Sequence, residues 1–334
     1  MTRSVRFASP LVASFFSIAA IACVSSLAIG CAAEPSDSER FREAIPTQEQ
    51  VALRVPGAET NSAGDMAKQT FGGGGLRIAT LTGADGTARY YQFTRDITNS
   101  VDFGTAVILG SVWAIVHTEP TTLDAKTAVW GPGSASALEP AIWKFTVTEV
   151  GNAEYDYALE GQPRAGGAWL TVMHGHGFGK SRPEHKTGFF EWDNDTYRTL
   201  DPARAKDEGK TKVTYDLTKL PATIAVELRP GAAKGWADVK VVHADLGAGT
   251  VEISGIGDID DSKTTKLEDI HLLSRWTSKG SGRADIEMKN GDLPFTVTAR
   301  ECWSETFARV YYQDTVSFEP TTGQESACAL PATP

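Results

Sequence analysis

The stretch WKFTVTEVGNAEYDYAL, Trp143 to Leu159, decides the fold class. Trp143, Phe145 and Val147 fall on one side, Lys144, Thr146 and Thr148 on the other. Gly151-Asn152 turns the chain, and Tyr155, Tyr157 and Leu159 then share a face again. A two-residue period with one apolar and one wet side marks half-buried antiparallel strands. The same period recurs in VTYDL, TIAVEL, ADVKVV, GTVEI, GRADIEM and PFTVTA. Asn290-Gly291 and Gly247-Ala248-Gly249 mark tight turns between them. About a dozen strands at near-regular spacing predict a meander, each strand pairing with the next.

The second face of these strands carries Lys144, Asp216, Glu227, Lys240, Asp285 and Glu287. An outer-membrane barrel needs a continuous apolar outer band, so that reading is rejected. A sheet that is greasy on one side must curl and cover that side. Working back toward the N-terminus, LRIATL and ARYYQF flank Asp85-Gly86 and read as a hairpin. A helix follows, starting near Thr98 or Asn99, both good N-caps, and reaching about His117. Its stretch FGTAVILGSVWAIV is apolar nearly all round, which predicts burial. Its fourteen residues are short for a membrane span. The fold expected is mainly β: a curled antiparallel meander, or partial barrel, around one buried helix near 98–117. A two-sheet β-sandwich is the alternative. A short helix at DPARAKDEG, capped by Asp201, is also expected.

The N-terminus suggests the compartment. Arg3 and Arg6 precede LVASFFSIAAIACVSSLAIG, residues 11–30, which is uncharged. A basic start, an apolar run and small residues form an export signal. LAIGC, Leu27 to Cys31, resembles the lipobox of bacterial lipoproteins. It departs from that pattern in having Ala28 three residues before the cysteine, where the family prefers Leu. The resemblance implies cleavage before Cys31 and acylation there, and durable anchoring requires more than one chain. IAC at Ile21 to Cys23 is a weaker competitor. An uncleaved membrane anchor, or secretion after cutting near Ala33, stays open. In that family an Asp after the cysteine retains the protein at the inner membrane. Ala32 and Ala33 stand here instead, so the expected place is the cell envelope, lipid-anchored, at the outer membrane. Residues 1–30 are then signal, 31–75 a flexible tether ending in Gly72 to Gly75, and 76–334 one β-rich domain. Within the tether, FREAIPTQEQVALRVPG is a candidate docked segment.

Without Arg3 and Arg6 the chain keeps 30 basic and 42 acidic side chains, a net of −12. That argues against nucleic acid as a partner and against electrostatic attraction to anionic lipid. With Cys23 in the signal and Cys31 acylated, Cys302 and Cys328 remain. An even pair in an oxidising compartment reads as a disulfide. Segments such as AIPTQEQVALRVPG, TAVWGPGS, YDYALEGQP, LEDIHLLSRW and GRADIEMKNGDLPFTVTARECW resemble a family of uncharacterised bacterial lipoproteins. That resemblance implies no activity. The expected architecture is also similar to periplasmic lipoprotein carriers, whose curled sheet is closed by helices around acyl chains; fold alone carries no function.

The most suggestive chemistry lies in HGHGFGKS, His174 to Ser181. A phosphate loop requires glycine where His174 stands, and a helix directly after Ser181, where Arg182-Pro183 follow. That reading fails, and the glycines read as a flexible or bulged strand end. His174 and His176 share a strand face, and His185 follows, a spacing that admits a zinc or copper site completed by Asp193 or Asp195. DIDDSKTTKLED from Asp258 and DNDTYRTLDPAR from Asp193 both miss the hand-type calcium template at positions six and twelve. No Gly-x-Ser-x-Gly occurs. Trp113, Trp130, Trp143, Trp192 and Trp303 read either as a ligand groove or as core packing. Two functions remain. One is a non-catalytic envelope protein that binds an apolar ligand or a protein partner. The other is a metal-dependent enzyme built on the histidines. The first expects an apolar concavity that the helix leaves partly unfilled.

Overall fold

A computed structural model describes residues 37–57, 86–134, 136–203, 207–231, 235–257 and 266–332. The signal segment, Cys23, Cys31, the glycine run 72–75 and the LRIATL stretch lie outside the described residues. So do 258–265 of the first acidic stretch.

The period-two segments form one sheet of fifteen antiparallel strands whose spatial order is their sequence order. The strands are β1 (Thr122–Leu123), β2 (Thr127–Gly133), β3 (Ala141–Gly151), β4 (Glu154–Pro163), β5 (Leu170–Phe178) and β6 (Thr187–Asp193). They continue as β7 (Lys210–Asp216), β8 (Ala222–Arg229), β9 (Trp236–His243), β10 (Gly249–Gly257) and β11 (Glu268–Trp276). The last are β12 (Gly282–Asn290), β13 (Val297–Trp303), β14 (Arg309–Asp314) and β15 (Thr322–Gly323). The sheet is not closed, and its two edges, β1 and β15, are two residues each. Such short edges offer little template for unwanted pairing. The two-sheet sandwich is excluded, because pairing runs without a break from β1 to β15.

Side chains alternate as the sequence predicts. Phe145 and Val147 in β3, Tyr155, Tyr157 and Leu159 in β4, and Val239 and Val241 in β9 are buried on the inner face. The outer face carries cross-strand pairs such as Lys144–Glu160 at 2.8 Å and Arg229–Asp238 at 2.6 Å. Asn290 and Gly291 both take positive φ, 66° and 63°, but they open a longer connection, since β13 resumes only at Val297; the tight two-residue turn expected there does not form.

Helix α2 (Arg89–Val116) is longer than the sequence predicts, beginning about ten residues before Thr98. ARYYQF therefore lies in this helix and not in a hairpin strand. The stripe Tyr90, Thr94, Thr98, Val101, Thr105, Leu109, Val112 and Val116 is buried, a spacing of three and four residues that puts all eight on one face. Its threonines satisfy their own hydroxyls: Thr94 Oγ1 donates to Tyr90 O at 2.8 Å and Thr98 Oγ1 to Thr94 O at 3.0 Å. The expectation of burial all round does not hold. Val107 is 55% exposed, and Gly110, Ser111 and Ala114 are exposed as well.

A second element shares the inside of the curl. Short helix α1 (Asp37–Arg42) and the irregular, turn-containing segment 43–57 are integral to the core, with Phe41, Ile45, Val51 and Leu53 at most 2% exposed. This is the docked segment expected within the tether. Burying each such large side chain contributes about 2 kcal/mol. The segment follows one rim of the sheet. Gly177 near the end of β5 meets the Ala44 carbonyl, His243 ends β9 beside Ala52, and Gly57 lies on Phe307 in the β13–β14 turn. This strap runs antiparallel to α2 and is tied to it. Trp113 Nε1 donates to Pro46 O at 3.1 Å, Leu53 N–H to Asp102 Oδ1 at 2.8 Å, and Tyr91 Oη to Pro56 O at 2.6 Å.

The short helix expected at DPARAKDEG is displaced. Helix α3 (Asn194–Leu200) comes one turn earlier, because Asp193 accepts Thr196 N–H at 2.8 Å and caps it there. Asp201 ends this helix instead of starting one, and 204–206 lie outside the described residues.

Candidate functional site

The three histidines are placed by different partners. His174 and His176 share the outer face of β5, as their spacing predicts. Each has other company: His174 sets its edge against Phe189, and His176 places Nδ1 2.7 Å from Asp156 Oδ1 and Nε2 3.4 Å from Glu154 Oε1. His185, in the turn after β5, has Nδ1 3.0 Å from Phe178 O. Among the described residues, no group of three or more His, Cys, Asp or Glu side chains is arranged to hold a metal. The neighbouring strand β4 brings Asp156 and Glu154 to His176, where they serve as its polar partners.

HGHGF continues β5 as a regular strand, and its glycines serve packing. A Cβ on Gly177 would lie 2.2 Å from the Ala44 carbonyl oxygen, so only glycine lets the strap approach this closely. The Gly-Lys-Ser that follows binds the strap as well. Glu43 accepts the Lys180 backbone N–H at 3.2 Å and pairs with Lys180 Nζ at 3.1 Å. A carboxylate thus takes both groups that a phosphate would need, and a turn follows in place of a helix. In the second acidic stretch Asp193 is spent on the α3 cap. The tryptophan reading resolves toward core, with Trp130, Trp192 and Trp303 at most 8% exposed.

Among the described residues, α2 and the strap occupy the concavity. A small recess lined by residues including Glu43, Ile45, Gln50, Phe178, His185 and Tyr215 measures about 10 Å³, room for about one water. That recess is too small for an acyl chain.

Cys302 and Cys328 are joined, with Cα atoms 5.5 Å apart, as the sequence predicts. Cys302 pairs across from Arg283 in β12, so both point to the outer face of the sheet. The tail folded over them buries the Arg283 side chain fully. Its guanidinium pairs with Asp285 at 2.9 Å and with Glu325 of the tail at 2.9 Å. Arg275 adds a hydrogen bond to Pro331 O at 2.7 Å.

The two ends of α2 hold the charged groups that composition could not locate. Ala88 precedes the helix and offers no side-chain cap. The cap comes from across the chain: Glu301, fully buried on the inner face of β13, accepts the N–H groups of Arg89 and Tyr90. Arg309 Nε lies 2.6 Å from the same carboxylate, and Glu319 joins Arg309 to Arg89. Burial pushes the Glu301 carboxyl above its usual range, while Arg309 and the helix amides pull it down. At the other end Arg42 of α1 donates to Val116 O at 2.6 Å and to Thr118 O at 3.1 Å. Negative charge at the N-terminus and positive charge at the C-terminus both match the helix dipole. Between these clamps, α2 turns one face to the sheet and strap, and no described element covers the face that carries Val107, Gly110, Ser111 and Ala114. By length and composition it is the one described helix apolar enough to cross a membrane. The bare face of its C-terminal half is the candidate functional surface. The apolar run FGTAVILGSVWAIV was its only signal in the sequence, and that run reads equally well as core.

Comparison with protein families, with curated proteins and with solved structures finds no match to this chain.

Proposed function

We propose that this is a lipid-anchored protein of the bacterial cell envelope, held by acyl chains on Cys31, whose body binds an apolar partner through a surface and performs no chemistry itself. One observation carries the second half: α2 and the strap occupy the concavity, and the apolar area left over lies outside, on α2. A carrier that encloses its cargo needs a chamber of several hundred Å³. The first half rests on the basic start, the uncharged run and LAIGC, together with the Cys302–Cys328 disulfide, which suits an oxidising compartment.

The test is expression of the full chain and of Cys31→Ala in a bacterial host. The wild type is expected in the membrane fraction with the mass of a processed, acylated chain, and the variant is expected to lose the added mass. Native mass spectrometry is expected to show the processed chain without a stoichiometric lipid or metal inside it. An unacylated wild type would overturn the anchor, and a co-purifying acyl species or metal ion would overturn the surface reading.

A further inference from the structure

We infer that the bare face of α2 rests on the lipid bilayer itself, in the interfacial plane, as a second contact beside the anchor. The inference depends on the anchoring proposed for Cys31. The charged residues of α2 are Arg89, Arg95, Asp96 and Asp102, all in its N-terminal half. After Asp102 the outward face reads Phe103, Ala106, Val107, Gly110, Ser111 and Ala114, with no charge. Its one hydroxyl is already satisfied, since Ser111 Oγ donates to Val107 O at 2.8 Å. Lipid contact therefore strands no polar side chain on this face, and backbone bonding within the helix is kept.

The place of the anchor selects lipid as the occupant. Cys31 precedes Asp37 by six residues, a length that reaches at most about 20 Å. α1, where that length ends, is bonded through Arg42 to the carbonyls at the C-terminal end of α2. The uncharged half of the helix is thus the half nearest the anchor. The acyl chains hold the protein at the membrane, and that tethering raises the effective concentration of an apolar face too weak to bind lipid by itself. The net charge of the processed chain, −12 without Arg3 and Arg6, makes this an apolar contact and not an ionic one.

The experiment uses the full chain reconstituted in phosphatidylethanolamine–phosphatidylglycerol vesicles, with thiols introduced by Ser111→Cys or Lys240→Cys and labelled with an environment-sensitive dye. Lys240 is exposed on the outer sheet face and is the control. The cysteines of the disulfide and of the anchor do not take the label. Intact mass reports acylation of Cys31 in the same sample. The dye at 111 is expected to shift to the blue and to be quenched severalfold more by doxyl-lipids than the dye at 240, equally at low and high salt. Val107→Glu, at a site already 55% exposed and so tolerated by the fold, is expected to abolish that quenching. An acylated protein whose dye at 111 is no more quenched than at 240 would overturn the inference and leave the anchor standing. A blue shift without quenching by lipid would assign the face to a second copy and overturn it too. Quenching that persists in Val107→Glu would do the same. An unacylated chain would remove the anchor on which the inference rests.

Discussion

Glu301 is the inward-facing carboxylate of a strand whose inner neighbours, Ala299 and Trp303, are core residues. It is tolerated because every oxygen is engaged by a helix amide or a guanidinium. Glu301→Gln removes the charge while turning an amide toward donors. Breaking a buried pair in this way is expected to destabilise by about 3–5 kcal/mol. Urea unfolding should therefore show a sharply lower midpoint, and an unchanged midpoint would mean that the cap contributes nothing. Asp102 behaves differently. Its burial pushes the carboxyl up to about 6, against the pull of the Leu53 amide and Arg54. A carboxyl raised on folding binds its proton more tightly in the native state, so stability is gained as pH falls from about 6 toward the ordinary carboxylate range. Above pH 6 the full penalty stands. Asp102→Asn keeps an oxygen for the Leu53 N–H and removes the charge. It is expected to be more stable than wild type at pH 8, by about 1–3 kcal/mol, and equal to it near pH 4. Thermal melts across this range check the sign.

Among the elements, the C-terminal tail is held to the outer sheet by one covalent bond and a few polar ones. Cys302 and Cys328 lie 26 residues apart. Closing such a loop stabilises by about 3 kcal/mol in the chain-entropy model. Reduction, or Cys302→Ala with Cys328→Ala, is expected to lower the melting temperature and to open the tail to protease before the sheet unfolds. Simultaneous cleavage of tail and sheet would contradict this. The strands from β3 onward were legible because alternation is a local property, and WKFTVTEV shows its wet and dry sides without any partner. The start of α2 was not. RYYQFT is aromatic and β-branched, which favours strand, and the residue that caps the helix lies 212 positions away in β13. The strap was legible as a docked segment, FREAIPTQEQVALRVPG, but not as part of the core. Val51, Leu53 and Val55 do alternate with Ala52 and Arg54, but three such positions between turns are too short a run to declare a core element. The histidine spacing was read correctly as one strand face, but two ligands on one face do not make a site, and the third had to come from tertiary structure.

At the scale of the molecule, a fifteen-stranded sheet curls without closing because its inner face is covered by α2 and the strap together. The helix supplies one stripe, the strap runs antiparallel beside it, and Glu301 and Arg42 fix the two helix ends from opposite directions in sequence. Such an arrangement should unfold as one cooperative unit, with no stage at which the sheet stands and its filling has left. Hydrogen–deuterium exchange of the full chain reads this directly. The amides of the buried stripe of α2, and those of the strap that are hydrogen-bonded, should match the slowest amides of β11 to β13 and be released with them in a single step as denaturant rises. Rapid exchange of α2 or of Leu53 N–H while those strands stay protected would contradict the claim that the helix and strap are the core of the curl.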